Sequence, residues 1–290
     1  GWGISMIWAL HLHITLENAL ICAMQSIAKL LDLDFLVYID SSYKKYYNNI
    51  EGIVFGEFKK NVEQCDIIIV IGGDGTILHS AQFAYCYNKP LLGINTGTLG
   101  FMASLESDEL EKLSRLKTGE YVVEKRMLLS AKINSPNSSK SFNALNDIVV
   151  FKSPFAKLPD FEVASNGVTV SRIRADGIIF STPTGSTAYA LSAGGPIIEP
   201  DMECIEVTQL CAHSLFARTM IFTANKTLTL VCNSRDEEDI YISIDGENTM
   251  KMSDDKEIVI TKSEKVIELI DINGSNFYKA INEKLMRPFK

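Results

Sequence analysis

The order of apolar segments predicts two folds in one chain: an α/β domain built on a parallel sheet, then a β-rich domain, with a last helix returning to the first. Three observations carry this. Continuous apolar runs alternate with helical stripes up to residue 120. From 121 to about 263 the texture changes to short β-rich stretches separated by Asn, Ser, Gly and Asp. Segment 275–289 then restores helical spacing, with Phe277, Ile281 and Leu285 at i, i+4 and i+8. The expected boundaries are 1–122 with 264–290 for the α/β domain and 123–263 for the β-rich one.

The first run, MIWALHLHI (6–14), reads as a strand. Leu16, Ala19, Leu20, Ala23, Ile27, Leu30 and Leu31 follow as the stripe of a helix. FLVYI (35–39), IIIVI (67–71) and PLLGI (90–94) are apolar throughout, as strands covered on both faces require. Residues 76–87 and 107–120 are the helices expected after the last two of these. In the second domain YVVEKRMLLSAKI, NDIVVF, GVTVSRIRADGIIFST, MIFTANKTLTLVC, DIYISIDG and EIVITK are the expected strands.

Composition narrows the class. At 290 residues and 46% hydrophobic content the chain can bury a large core. A net charge of −8 argues against a broad nucleic-acid surface or an anionic-membrane surface, so an anionic ligand needs a local basic pocket. Lys152, Lys157, Arg172, Arg174 and Arg218 are the candidates. The six cysteines show no CxxC spacing, which fits reduced thiols and the cytoplasm. No apolar run reaches the ~18 residues of a membrane span, and the N-terminus lacks the charged start of a secretory signal. The opening GWG carries no functional weight, and His11 and His13 read as structural strand residues.

Chemistry concentrates first at GGDGT (72–76), where a buried strand runs into three glycines around one acid. Without Cβ atoms the turn lets a diphosphate approach backbone amides, and the following helix adds its dipole. Asp74 is repelled by such a ligand unless it holds Mg²⁺ or takes a proton from a reacting hydroxyl. Alternatively it merely caps the helix, and the five residues alone allow both readings. A second glycine loop, GINTGTLGFM (93–102), also leaves the carboxyl end of a strand, where open parallel sheets bind ligands. A third segment, RADGIIFSTPTGSTAYALSAGGP (174–196), delivers a strand into a run of hydroxyls suited to adenine edges, ribose and phosphate.

Taken together these segments resemble the NAD kinases. The match rests on GGDGT, GINTGTLGFM, the Asn146-Asp147 pair in ALND, RADG (174–177), STPTGSTAY (181–189) and SAGGP (192–196), with weaker echoes in AHSLFAR (212–218) and IDGE (244–247). The resemblance implies a Rossmann-like first domain, a β-rich second domain and a returning helix. It also implies transfer of the γ-phosphoryl group of ATP, or of polyphosphate, to the 2′-hydroxyl of the adenosine ribose of NAD. A divalent metal, usually Mg²⁺, and homo-oligomers (dimers or tetramers) go with it.

By motif position, Asp74 looks like the group that activates the 2′-hydroxyl, with Gly73, Gly75 and Thr76 around it and His79 one turn on as a substrate contact. Phe101 resembles an adenine wall, and Asn146 with Asp147 the pair that holds nucleoside hydroxyls. Lys157, Arg174 and Asp176 look like contacts near the phosphates and the nicotinamide amide. Thr184 and Ser186, then Thr187, Ala188, Tyr189, Ala190, Leu191 and Ser192, resemble the adenine and ribose cradle. Glu247 stands where Gln is frequent in the family.

In phosphoryl transfer the protein mainly aligns the nucleophile, so Asp74 is expected to accept the proton late. Two alternatives share the turn: a kinase of another alcohol (lipid or sugar phosphate) and a non-catalytic NAD sensor. The Thr-rich loop argues against the first, and the intact Asp74 against the second. An NAD-dependent oxidoreductase is disfavoured because the first strand lacks a GxGxxG turn.

Overall fold

The computed structural model describes residues 5–8, 17–135, 138–154, 156–214, 217–233, 240–252, 257–274 and 276–284. His11, His13 and the 285–289 end of the last expected helix lie outside them. The chain divides into two compact units, Gly1–Lys125 with Ile267–Lys290, and Arg126–Val266.

In the first unit the strands are β1 (Ser5–Trp8), β2 (Leu36–Asp40), β3 (Ile53–Gly56), β4 (Ile67–Ile71), β5 (Leu91–Asn95) and the short β6 (Leu105–Glu106). Helices α1 (Glu17–Asp32), α2 (Lys44–Tyr47), α3 (Phe58–Gln64), α4 (Asp74–Tyr87) and α5 (Ser114–Thr118) connect them. All pairings are parallel, in the order β5-β4-β1-β2-β3. The chain builds outward from β1 and then returns to β4, so strand order reverses between β1 and β4. Ligand crevices of open α/β sheets form at such a reversal. The GGDGT turn leaves β4 at this point.

Strands β4 and β5 are buried at every position, as their unbroken apolar runs require. Residues 35–39 behave differently. Val37 and Ile39 join the core with Ala19, Ala23, Ile27 and Leu30 of α1, while Leu36 on the other face is 42% exposed. β3 was not among the expected strands; it is four residues long and pairs with β2 alone. The expected helix over 107–120 is a 3-10 turn, Leu110–Leu113, running into α5. Before it, Glu109 accepts the Glu106 N–H at 3.0 Å, a local side-chain bond that competes with a regular helix start.

The second unit holds β7 (Val122–Ser135) from Arg126 onward, β8 (Ser138–Ala144), β9 (Asp147–Lys152), β10 (Asp160–Ser165), β11 (Val168–Arg174) and β12 (Gly177–Ser181). After α6 (Tyr189–Ser192) come β13 (Cys204–Leu210), β14 (Met220–Thr223), β15 (Leu228–Asn233), β16 (Ile240–Ile244), β17 (Asn248–Lys251) and β18 (Glu257–Asp271). A six-stranded antiparallel sheet runs β14-β13-β12-β9-β16-β17. One of its faces packs Ile148, Val150, Ile178, Phe180, Ile205 and Val207 into the main core. Burying side chains of this size contributes roughly 1.5–3 kcal/mol each. The end of β18 belongs to the first unit, where Leu269 pairs with Leu91 of β5, and α7 (Asn276–Lys284) follows it.

Candidate active site

Asp74 is the first residue of α4, and Gly73, in the cap position, makes no side-chain bond. The Asp74 carboxylate is held from outside its own helix. It accepts the backbone N–H of Phe101 at 2.9 and 3.1 Å and that of Met102 at 3.2 Å. The two glycine loops of the sequence thus meet at one carboxylate. Gly100 makes this possible, since a Cβ there would come within 2.1 Å of Asp74 Oδ1. By contrast, a Cβ on Gly73 or Gly75 would meet nothing within 4 Å. The protein's own packing does not demand glycine at either place, and both leave space over the first amides of the helix.

The second loop is braced on either side of this contact. Asn95 Oδ1 accepts the Gly97 N–H at 3.2 Å, and Asn95 Nδ2 donates to Glu106 at 2.8 Å. Burial lifts the Glu106 carboxyl above its usual range. The Ser104 hydroxyl donates to Asp271 at 3.0 Å and accepts the Ile272 N–H at 2.7 Å. Phe101 lies beside Phe277 of α7, with ring centroids 6.2 Å apart and Lys284 Nζ 4.8 Å over its ring. Thr76 and His79 are both half-buried on α4.

The second unit contains a cavity of about 670 Å³ on the sheet face opposite its core. Asn146, Asp147, Lys152, Asp176, Ala188, Tyr189, Cys211, Ser243 and Asp245 are among its lining residues. The Asn-Asp pair is held by Asp245, whose carboxylate accepts the N–H groups of Leu145, Asn146 and Asp147 at 2.8, 2.7 and 3.1 Å. Burial, and then the Asp245 charge, push the Asp147 carboxyl up to about 7. Burial pushes Asp245 up to about 6 against the pull of its three N–H donors. Asn146 Oδ1 is buried without a hydrogen-bond partner among the described residues.

The STPTGST segment frames this pair. Thr182 N–H donates to Asn146 O at 2.9 Å, and the Gly185 backbone lies so close that a Cβ would approach Asn146 O to 2.1 Å. Thr184 and Ser186 are buried; Ser186 Oγ donates to Pro183 O at 2.7 Å and accepts the Ile198 N–H at 2.9 Å. Thr187 donates to Thr184 O at 3.3 Å. Tyr189 is 48% exposed, whereas Ala190 is buried beneath it.

The charged residues divide. Lys152 Nζ sits 3.5 Å from Asp176 in the cavity wall. Arg174 makes two bonds to Asp160, at 2.9 and 3.2 Å, on the exposed face of β10 and β11. Lys157 and Glu247 are exposed, and neither they nor Leu191 and Ser192 line the cavity. Asp245, Ser243 and Cys211 were not singled out from the sequence. Strand alternation could have found part of this wall, because Asp147, Val149 and Phe151 share one face of β9 and all line the cavity.

Comparison with known proteins matches residues 38–121 to the ATP-NAD kinase N-terminal domain and residues 145–272 to the ATP-NAD kinase C-terminal domain. An NAD kinase of Clostridium beijerinckii is 33% identical over 270 residues, covering 91% of this chain and 94% of that protein. One from Clostridium perfringens is 38% identical over 250 residues, covering 84% and 90%. Among solved structures, yeast NADH kinase complexed with NADH superposes with a TM-score of 0.86 at 23% identity, over 100% of this chain and 90% of that one. An Archaeoglobus fulgidus NAD kinase in complex with ATP gives 0.71 at 25% identity, over 97% of each.

Proposed function

The chain belongs to the NAD kinase family, and on that premise we propose that Asp74 organises transfer of the γ-phosphoryl group of ATP to the 2′-hydroxyl of the adenosine ribose of NAD. The observation that carries this reading is the Asp74 carboxylate fixed by the Phe101 and Met102 amides beside glycines open to a ligand. A carboxylate so held accepts the ribose proton as the bond to phosphorus forms. A ribose hydroxyl is too weak an acid to be ionised beforehand, so the proton moves late, and such assistance contributes roughly 10²–10⁴-fold. The first amides of α4 face the negative charge of the transferred group.

Asn146 and Asp147, with Ala188 and Tyr189 of the Thr-rich segment, hold the adenosine, with the unpartnered Asn146 Oδ1 ready to accept from a ligand donor. Asp176, neutralised by Lys152, takes the nicotinamide amide. A divalent cation, Mg²⁺, supplies neutralisation of the donor phosphates. Among the described residues no three of His, Cys, Asp and Glu converge into a cage. Mg²⁺ would keep water and phosphate oxygens in its shell and need only one or two carboxylates.

Assembly into a dimer or tetramer belongs to the same reading. Unpaired cysteines throughout support the cytoplasm, and no described helix is long and apolar enough to cross a membrane. The test is purified protein with NAD⁺, Mg²⁺ and either ATP or polyphosphate, scored for NADP⁺. Asp74→Asn is expected to bind NAD in calorimetry and to lose nearly all turnover. Retention of most activity would remove Asp74 from the centre of the reaction.

A further inference from the structure

Glu206 has none of its surface exposed, although no cation is paired with it among the described residues. It stands on β13 between Ser181 of β12 and Ile221 of β14, in the sheet row that also holds Asp147. Oε1 accepts the Thr208 hydroxyl at 2.8 Å, and Thr208 in turn is 3.0 Å from the Thr219 hydroxyl. Oε2 is buried with no hydrogen-bond partner among the described residues. Above it, a Cβ at Gly195 would come within 1.9 Å of Oε1, so the backbone of the SAGGP turn rests on the carboxyl group. The Gly195 N–H donates to Ala190 O at 2.9 Å, which ties that turn to α6 and so to Tyr189 in the cavity wall.

One hydroxyl donor does not replace the hydration a carboxylate loses on burial, and burial accordingly lifts Glu206 above the usual carboxylate range. Ser181, Ile221, Thr208 and Gly195, which surround it, carry no charge. Cys204, two residues away on the same face of the strand, is the other titratable group there; its thiol is raised by burial and by the Glu206 charge.

We propose that Glu206 is a positioning residue for NAD: its buried carboxyl group supports the Ala190–Gly195 turn at the height that presents Tyr189 to the adenosine. The proposal rests on the reading that Tyr189 of the cavity wall holds the adenosine. Binding, and not the transfer step, is what Glu206 controls.

The experiment is steady-state NADP⁺ formation by the native enzyme, by Glu206→Gln, whose amide keeps the acceptor for Thr208 and the bulk beneath Gly195, and by Glu206→Ala, which removes both. The readout is KM for NAD against kcat. KM is expected near native in Glu206→Gln and several-fold higher in Glu206→Ala, with equal kcat. A purely structural role would lower the folded fraction and leave KM unchanged, and an unchanged KM in Glu206→Ala overturns the proposal. Should Glu206→Ala fail to fold, Glu206→Asp, one methylene shorter, serves in its place. A second arm uses Gly195→Ala, which is expected to raise KM more beside Glu206 than beside Glu206→Ala; equal effects count against the contact. Tyr189→Ala separates the two readings: an unchanged KM there sinks the cradle assignment, whereas a raised KM with a native-like KM in Glu206→Ala sinks Glu206 alone.

Discussion

Replacing Gly100 by alanine tests the Asp74 geometry from outside the reacting groups. The added Cβ would stand 2.1 Å from Asp74 Oδ1 and 2.8 Å from Cγ, where ordinary contact begins at 3.4 Å. The carboxylate must therefore retreat by about 1.3 Å, the difference between 3.4 and 2.1 Å, and give up bonds to Phe101 and Met102 that are now 2.9 to 3.2 Å long. Gly100 does not have a left-handed φ, so alanine adopts its backbone without strain and the effect isolates the close approach. A misplacement of ~1 Å in an aligned site costs on the order of 10²-fold in rate, or roughly 2.7 kcal/mol of barrier. Steady-state NADP⁺ formation should show that fall in kcat, while calorimetry should give an NAD dissociation constant within a few-fold of native. In an Asp74→Asn background the same change should cost little more, because both act on one group. A native-like kcat for Gly100→Ala, or a full additional loss beside Asp74→Asn, would refute the claim that this glycine works by seating the carboxylate.

Asp147 predicts a stability that falls with pH. Its folded pKa is raised from 3.8 to about 7, so the folded state holds the proton more tightly, and the associated stability is present below pH 4 and lost as pH rises to about 7. That interval of about three pH units corresponds to roughly 4 kcal/mol at most. Melting temperatures from pH 5 to 8 should fall in the native protein relative to Asp147→Asn, and parallel curves would remove the buried acid from the account. Tyr189→Ala should raise the KM for NAD about tenfold and leave kcat within a factor of two or three, since a half-exposed ring offers stacking area but no reacting atom. Gly185→Ala, whose Cβ would lie 2.1 Å from Asn146 O, should destabilise by on the order of 2–4 kcal/mol in thermal unfolding; a change below ~0.5 kcal/mol would mean the backbone there yields freely.

Much of the fold was readable because burial on both faces leaves an unmistakable run, as in IIIVI and PLLGI. β3 shows the limit. Its four residues are partly exposed throughout or alternate weakly, and only pairing with β2 holds them extended. Helix 107–120 failed for a local reason, since Glu109 and Asn273 draw the chain into side-chain bonds before α5 begins. At the site, glycines with an acid between them announced Asp74. The amides that hold it come from 27 and 28 residues further along the chain, a separation no local pattern reports. Asp245 was passed over within IDGE for Glu247, because only the three N–H bonds it accepts distinguish an orienting carboxylate from a surface one.

An acidic chain that binds a dinucleotide poses an electrostatic question that formal charge cannot answer. The carboxylates at the two sites are offset one by one, each by a different means. Asp74 and Asp245 are met by backbone amides. Asp176 is met by Lys152 at 3.5 Å. Asp147 is lifted by burial toward the neutral acid, so near pH 7 it adds less charge than the count assigns it. The field a phosphate meets is set by these local arrangements over a few ångströms, while the remaining surface acids are screened beyond a Debye length of ~8 Å. A net charge of −8 is therefore compatible with anionic ligands, and it follows that raising salt should change NAD affinity far less than raising pH does.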